Sequence, residues 1–136
     1  MTTTLDRPGR VLVLRGSPDH ATAGIAEAVA AELVAAGLRV DVTVPSRVGG
    51  LAGYGAVVLG SRVRFGRWHP SVLRFLRRHA AVLSVRPLRL FAVGHAYAGP
   101  LDGPAPVTFP DGDLGAPRRW ARRLAAELAG EPAGRE

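Results

Sequence analysis

The chain has 136 residues, a formal net charge of +7 and no cysteine, which fits one domain and excludes disulfides, thiolate metal sites and cysteine nucleophiles. No apolar stretch reaches the roughly 20 residues of a membrane span, and the polar start over residues 1–9 lacks a secretory apolar segment, so a cytoplasmic protein is expected. All 18 basic residues are arginine; with lysine, asparagine and glutamine absent and no basic stripe interleaved with exposed aromatics, the charge reads as genomic codon bias and predicts no nucleic-acid partner. Residues 1–9 are expected to be a disordered start, 10–129 one domain and 130–136 a tail.

Val11-Leu12-Val13-Leu14 is a short apolar run between glycines, the pattern of a strand buried on both faces. Over residues 21–36 Ile25, Val29 and Leu33 recur every four residues, with Glu27 and Glu32 off that stripe and Gly37 placed to end the helix. Residues 38–44 alternate strictly and read as an edge strand. Ala56-Val57-Val58-Leu59 is a second interior strand, expected to stop at Gly60 and to open into a loop of three arginines, two aromatics and a histidine.

Pro70 suits a first helical turn. The helix it starts is expected to run through Val72, Phe75, Leu76 and Leu83 on one face, with Arg74, Arg77 and Arg78 on the other. Residues 88–93 form a further strand closed by Gly94, and residues 94–117 are a Gly/Pro-rich stretch in which only Val107-Thr108-Phe109 can form a short last strand. A final helix from Pro117 to about Ala129 turns Trp120, Leu124 and Leu128 inward and Arg118, Arg119, Arg122 and Arg123 outward. Strands alternating with helices indicate parallel βαβ units and a doubly wound α/β sheet with helices on both faces, in the order 2-1-3-4 with a short or missing fifth strand. Ligands of such sheets sit at the carboxyl ends of the strands, where the loops after residues 15, 59 and 93 meet.

Two segments, Gly60-Ser61-Arg62-Val63-Arg64-Phe65-Gly66-Arg67-Trp68-His69 and Phe75-Leu76-Arg77-Arg78-His79-Ala80, carry a resemblance to the flavodoxin-like family. Within it they resemble the menaquinone-dependent protoporphyrinogen oxidases and short actinobacterial flavodoxin-domain proteins, over about residues 11–93. The resemblance implies FMN as cofactor, electron transfer or oxidation as activity, and a small-molecule substrate with a redox partner or quinone. It implies that Phe65 neighbours the flavin ring, that Ser61, Arg62, Val63, Arg64 and Gly66 line its edge through backbone groups, that Gly94 and Tyr97 belong to the third ligand loop, and that Ser17 and Thr22 hold the phosphate. Arg62 and Arg64 would meet an anionic substrate such as a tetrapyrrole carboxylate, or would stay solvated.

The phosphate loop departs from the family pattern. Gly16 stands where a hydroxyl residue is expected, His20 replaces a glycine, Pro18 removes a backbone donor, and Asp19 adds negative charge, although relatives also carry an acid there. The segment after Gly94 is also shorter than in the oxidases. A second reading is therefore a flavin-free enzyme using the same crevice for acid/base chemistry on an organic substrate of secondary metabolism, with His20, His95, Arg64 and Tyr97 as its polar groups. In the blander reading His69 only caps the next helix. A third is a non-catalytic scaffold whose arginine-rich helix faces dock an acidic partner or a second copy of the chain as a homodimer. No histidine pair has metal-ligand spacing, so no metal is expected.

Overall fold

The computed structural model describes residues 9–94 and 105–129. The chain runs β1 (Arg10–Arg15), α1 (His20–Ala35), β2 (Val40–Thr43), a 3₁₀ turn (Pro45–Arg47), β3 (Tyr54–Arg64), β4 (Arg67–Trp68), α2 (Pro70–Arg78), α3 (Ala80–Leu83), β5 (Leu88–Val93), β6 (Val107–Phe109) and α4 (Gly115–Leu128). The main sheet has the order β2-β1-β3-β5-β6 and β4 folds back on β3. Every neighbour pair on the main path is parallel, for example Val11 opposite Val40 and Ala56, and only the β3–β4 hairpin is antiparallel. This is the doubly wound flavodoxin-like architecture, with the short fifth strand present as β6 beside β5. No helix of the described residues is long and apolar enough to cross a membrane.

The strands are apolar throughout because helices cover both faces. Val11, Val13, Val58, Phe91 and Val93 pack with Ile25, Val29 and Leu33 of α1 and Leu124 and Leu128 of α4. Leu12, Leu14, Val57, Leu59 and Leu90 face the other way onto Val72 and Phe75 of α2 and Leu83 of α3. Gly37 at φ 96 lets α1 stop: its N–H donates to the Val34 carbonyl, and that of Leu38 donates to Leu33, the paired bonds of a glycine-terminated helix. Trp120 of α4 meets Phe91 and Phe109 edge-on, with centroids 6.2 and 5.7 Å away.

Two elements differ from the sequence expectation. The helix after Pro70 breaks at His79, whose backbone at φ −111 and ψ 21 leaves the helical range; its ring turns inward onto Phe75 with centroids 4.6 Å apart. The strand containing Val57 does not stop at Gly60 but continues to Arg64. Gly60 is a packing residue rather than a terminator, since a Cβ there would fall inside the ring of Phe91 on β5. Gly16 has the same character: a Cβ would run into Val72 of α2, so the hydroxyl residue expected there has no room. Its N–H donates to the Gly60 carbonyl at 2.6 Å.

Overpacking a core costs roughly 1–3 kcal/mol. Gly60→Ala is therefore expected to lower the unfolding free energy by about that amount, and adding Phe91→Leu should recover part of the loss. Denaturant unfolding of the two variants measures both; an unchanged stability in Gly60→Ala would show that Phe91 yields freely.

Candidate functional site: an oxyanion nest beside an arginine hairpin

The loop between β1 and α1 closes on a single carboxylate. Asp19 is the N-cap of α1, and its side chain accepts the Thr22 N–H at 2.9 Å. The hydroxyl of Ser17 donates to Asp19 Oδ1 at 2.6 Å and that of Thr22 to Oδ2 at 2.9 Å. The Arg62 guanidinium adds an ion pair, with Nε 3.2 Å from Asp19 Oδ2 but out of line for a hydrogen bond, while its Nη2 reaches Asp111 at 2.9 Å. Ser17 and Thr22 are buried, and Ser17 Oγ also accepts the Arg62 backbone N–H at 2.9 Å. Burial by itself would raise the Asp19 pKa, but the donors from Ser17 and Thr22 outweigh it and hold the carboxyl at about 2, below the ordinary 3.8.

The second wall is the β3–β4 hairpin. Val63 pairs with Trp68 and Arg64 with Arg67, and the two turn residues, Phe65 at φ 54 and Gly66 at φ 75, both lie in the left-handed region. Two-residue hairpins favour this geometry, but with asparagine, aspartate or glycine at the first position. A phenylalanine there is strained, and its ring is 95% exposed at the tip. Trp68 is buried, and His69 caps α2 by accepting the Ser71 N–H on its ring nitrogen Nδ1. Between the two walls lies a crevice of about 480 Å³ lined by Pro18, Asp19, Arg62, Arg64, Arg67 and Trp68 among others, within the usual range for small-molecule sites. Arg64 and Arg67 have no carboxylate partner among the described residues.

The sequence-predicted residues divide accordingly. Ser17, Thr22 and Arg62 meet at Asp19, and Arg64 lines the same crevice. Ser61 and Arg62, whose backbone groups were expected to face a ligand, lie in β3 opposite Ala92 and Val93 of β5, and the Arg62 N–H donates to Ser17 Oγ. Ser61 is fully buried, Val63 is buried behind the hairpin, and Gly94 at φ 130 bends the chain after β5 while its N–H donates to the Phe109 carbonyl. Phe65 and Gly66 form the hairpin tip and do not line the crevice; His20 starts α1, exposed and likewise outside the lining. His95 and Tyr97 lie outside the described residues. Arg67, Trp68 and Asp111 join the site without having been singled out as its residues. Gly66 was the available signal for the hairpin, whereas Asp111 is 49 residues from Arg62 and nothing local marks it.

A family profile described as "Flavodoxin domain" matches residues 12–105. The protoporphyrinogen IX dehydrogenase [quinone] of Escherichia coli K12 is 30% identical over 86 residues, 62% of this chain and 48% of that one; the chain thus spans about half the length of the curated relatives it matches. Solved structures share the fold. A flavodoxin from the domain Archaea superposes with TM-score 0.66 at 14% identity, covering 92% of this chain and 99% of that one. Flavodoxin 1 of Bacillus cereus gives 0.63 at 13%, covering 90% and 99%, and the rubredoxin oxygen:oxidoreductase of Desulfovibrio gigas 0.69 at 17%, covering 88% and 35%.

FMN is the cofactor such likeness implies, and the donors fit its phosphate in kind. Two hydroxyls and the Thr22 N–H converge at the start of a 16-residue helix, whose first-turn N–H groups have no acceptors within the helix and whose dipole favours an anion. The seat itself is held by the Asp19 carboxylate, which takes the donors of Ser17 and Thr22.

A carboxyl held below its unfolded pKa stabilises the fold above that value and ceases to do so as pH falls through the folded one. For Asp19, with about 2 folded against 3.8 ordinary, the window is between about pH 4 and 2, and the contribution is on the order of 2 kcal/mol. Asp19→Asn keeps a good N-cap residue but loses the charge. The stability difference between wild type and Asp19→Asn, followed by denaturant titration, should shrink across that window; a pH-independent difference would show that the nest does not hold the charged form.

Proposed function

The chain belongs to the flavodoxin domain family, and from that membership we propose that it is a flavin-type redox protein taking FMN between the β1–α1 loop and the β3–β4 hairpin. The observation that carries this is the nest itself: Ser17 and Thr22 converge on an oxyanion at the start of α1, with the arginine-lined crevice immediately beside it. Bound there, the flavin supplies one- and two-electron redox chemistry, and the protein supplies orientation and charge.

Ser17 Oγ–H, Thr22 Oγ–H and the Thr22 N–H would hold the phosphate once Asp19 swings away. Trp68 and Pro70 form the apolar floor of the crevice, which keeps water from the ring system. Arg64 and Arg67 place two guanidinium groups at that wall, a field that favours negative charge on a reduced ring or on the carboxylates of a substrate. We assign the electron acceptor or donor to the class of quinones or small redox partners; the Escherichia coli relative is a quinone-linked dehydrogenase. Phe65, held at φ 54 and exposed, presents an aromatic ring at the mouth, where strain is retained for contact rather than for stability.

Asp19 in the seat also favours a second reading, a flavin-free protein using the crevice on an organic anion. Its proposed acid/base group His20 stands outside the lining, and His69 spends Nδ1 on its cap.

The discriminating test is FMN titration followed by quenching of flavin fluorescence. Asp19→Asn is expected to bind FMN at least about tenfold more tightly than wild type, equivalent to roughly 1.4 kcal/mol, and to leave riboflavin affinity unchanged because riboflavin has no phosphate. Equal FMN affinity in both proteins would remove Asp19 as a competitor, and no binding to either would favour the flavin-free reading. Phe65→Asn should raise stability by about 1 kcal/mol, since asparagine tolerates the left-handed region, while weakening FMN binding; thermal melts and the same titration read the two effects.

A further inference from the structure

The 3₁₀ turn Pro45–Arg47 packs against α2, through residues that are not among those lining the crevice beside Asp19. Between them is a cavity of about 80 Å³, roomier than the roughly 10–15 Å³ that one water requires. Ser46 lines it from the turn, and Arg74, Phe75, Arg78 and His79 line it from α2 and the break that follows. Three features of this cavity are unfavourable as they stand. Arg74 and Arg78 are four residues apart on one helix face, a spacing at which like charges repel, and neither pairs with a carboxylate among the described residues. His79 is only 9% exposed, and its Nε2 is buried without a hydrogen-bond partner, a loss that a folded protein seldom leaves uncompensated.

One ligand answers all three. An oxyanion offers acceptors to both guanidinium groups, which bind phosphate through short, charge-assisted and bidentate contacts, and a further acceptor to an imidazole N–H. Burial first, and then the charge of Arg78, push the His79 pKa below its ordinary value. The ring is therefore neutral, and in the tautomer protonated on Nε2 it donates one hydrogen bond. A tilted contact with the Phe75 ring holds the imidazole beside the cavity. The Ser46 hydroxyl adds a donor from the opposite wall. Nothing in this group belongs to the Asp19 nest.

We propose that the cavity between the 3₁₀ turn and α2 is a second anion site, taking a phosphate-sized oxyanion between Arg74, Arg78 and His79, whether free inorganic phosphate or the phosphate of a small phosphomonoester. The test is proton and nitrogen NMR of the full chain during titration with inorganic phosphate and, separately, glycerol phosphate, at constant ionic strength maintained with chloride. The His79 ring signals should shift saturably. The double variant Arg74→Ala/Arg78→Ala, which alters exposed side chains only, should lose affinity at least tenfold with no fall in melting temperature, and Ser46→Ala should lose less. Tighter binding of glycerol phosphate assigns the site to an organic phosphate; tighter or equal binding of the inorganic ion assigns it to phosphate itself. Unmoved His79 signals, the same shifts with chloride alone, or undiminished affinity in the double variant would overturn the proposal.

Discussion

At the centre of the sheet β1 and β3 lie side by side at two glycines, and the remaining architecture depends on that close approach. The Gly16 N–H donates to the Gly60 carbonyl, Val72 of α2 fills the space beside Gly16, and the Phe91 ring covers Gly60. Without side chains at these two points the helix sits flush on the strand end and β3 passes under the aromatic ring. β3 then emerges four residues farther on as the first arm of the hairpin. The crevice wall and the core are thus one continuous strand, and the positions of Arg62 and Arg64 are inherited from packing several residues back.

Arg62 connects this wall to the rest of the site. It meets Asp19 from the loop after β1 and Asp111 from the segment after β6, so two stretches far apart in the chain are held by one guanidinium. The pair with Asp19 is half-sheltered, at side-chain exposures of 17% and 20%, while Asp111 is open to water at 52%. Screening therefore weakens the outer link before the inner one.

Much of this was legible in the sequence. The apolar runs at Val11 and Val57 and the four-residue stripe of Ile25, Val29 and Leu33 located the interior strands and α1 because burial imposes those periods on the chain. Ser17 and Thr22 were singled out through the family resemblance, since hydroxyls near a helix start serve equally well as caps; in the structure both donate to Asp19. Gly60 was misleading for a physical reason: a missing Cβ either frees the backbone or admits a neighbour, and only the position of Phe91, thirty-one residues on, decides between them. The hairpin escaped because Phe65 occupies a turn position normally given to asparagine or glycine. The Asp111 partner of Arg62 escaped because ion pairs across a fold leave no periodicity behind.

A nest that carries its own carboxylate is complete without any outside anion. Anion-binding loops rich in inward-pointing donors are prone to loosen when empty, since unsatisfied N–H and O–H groups draw in water. Here Asp19 satisfies Ser17 and Thr22 from within. The loop therefore keeps its shape with no anion supplied from outside, and the fold of this end of the sheet does not hinge on anything binding there.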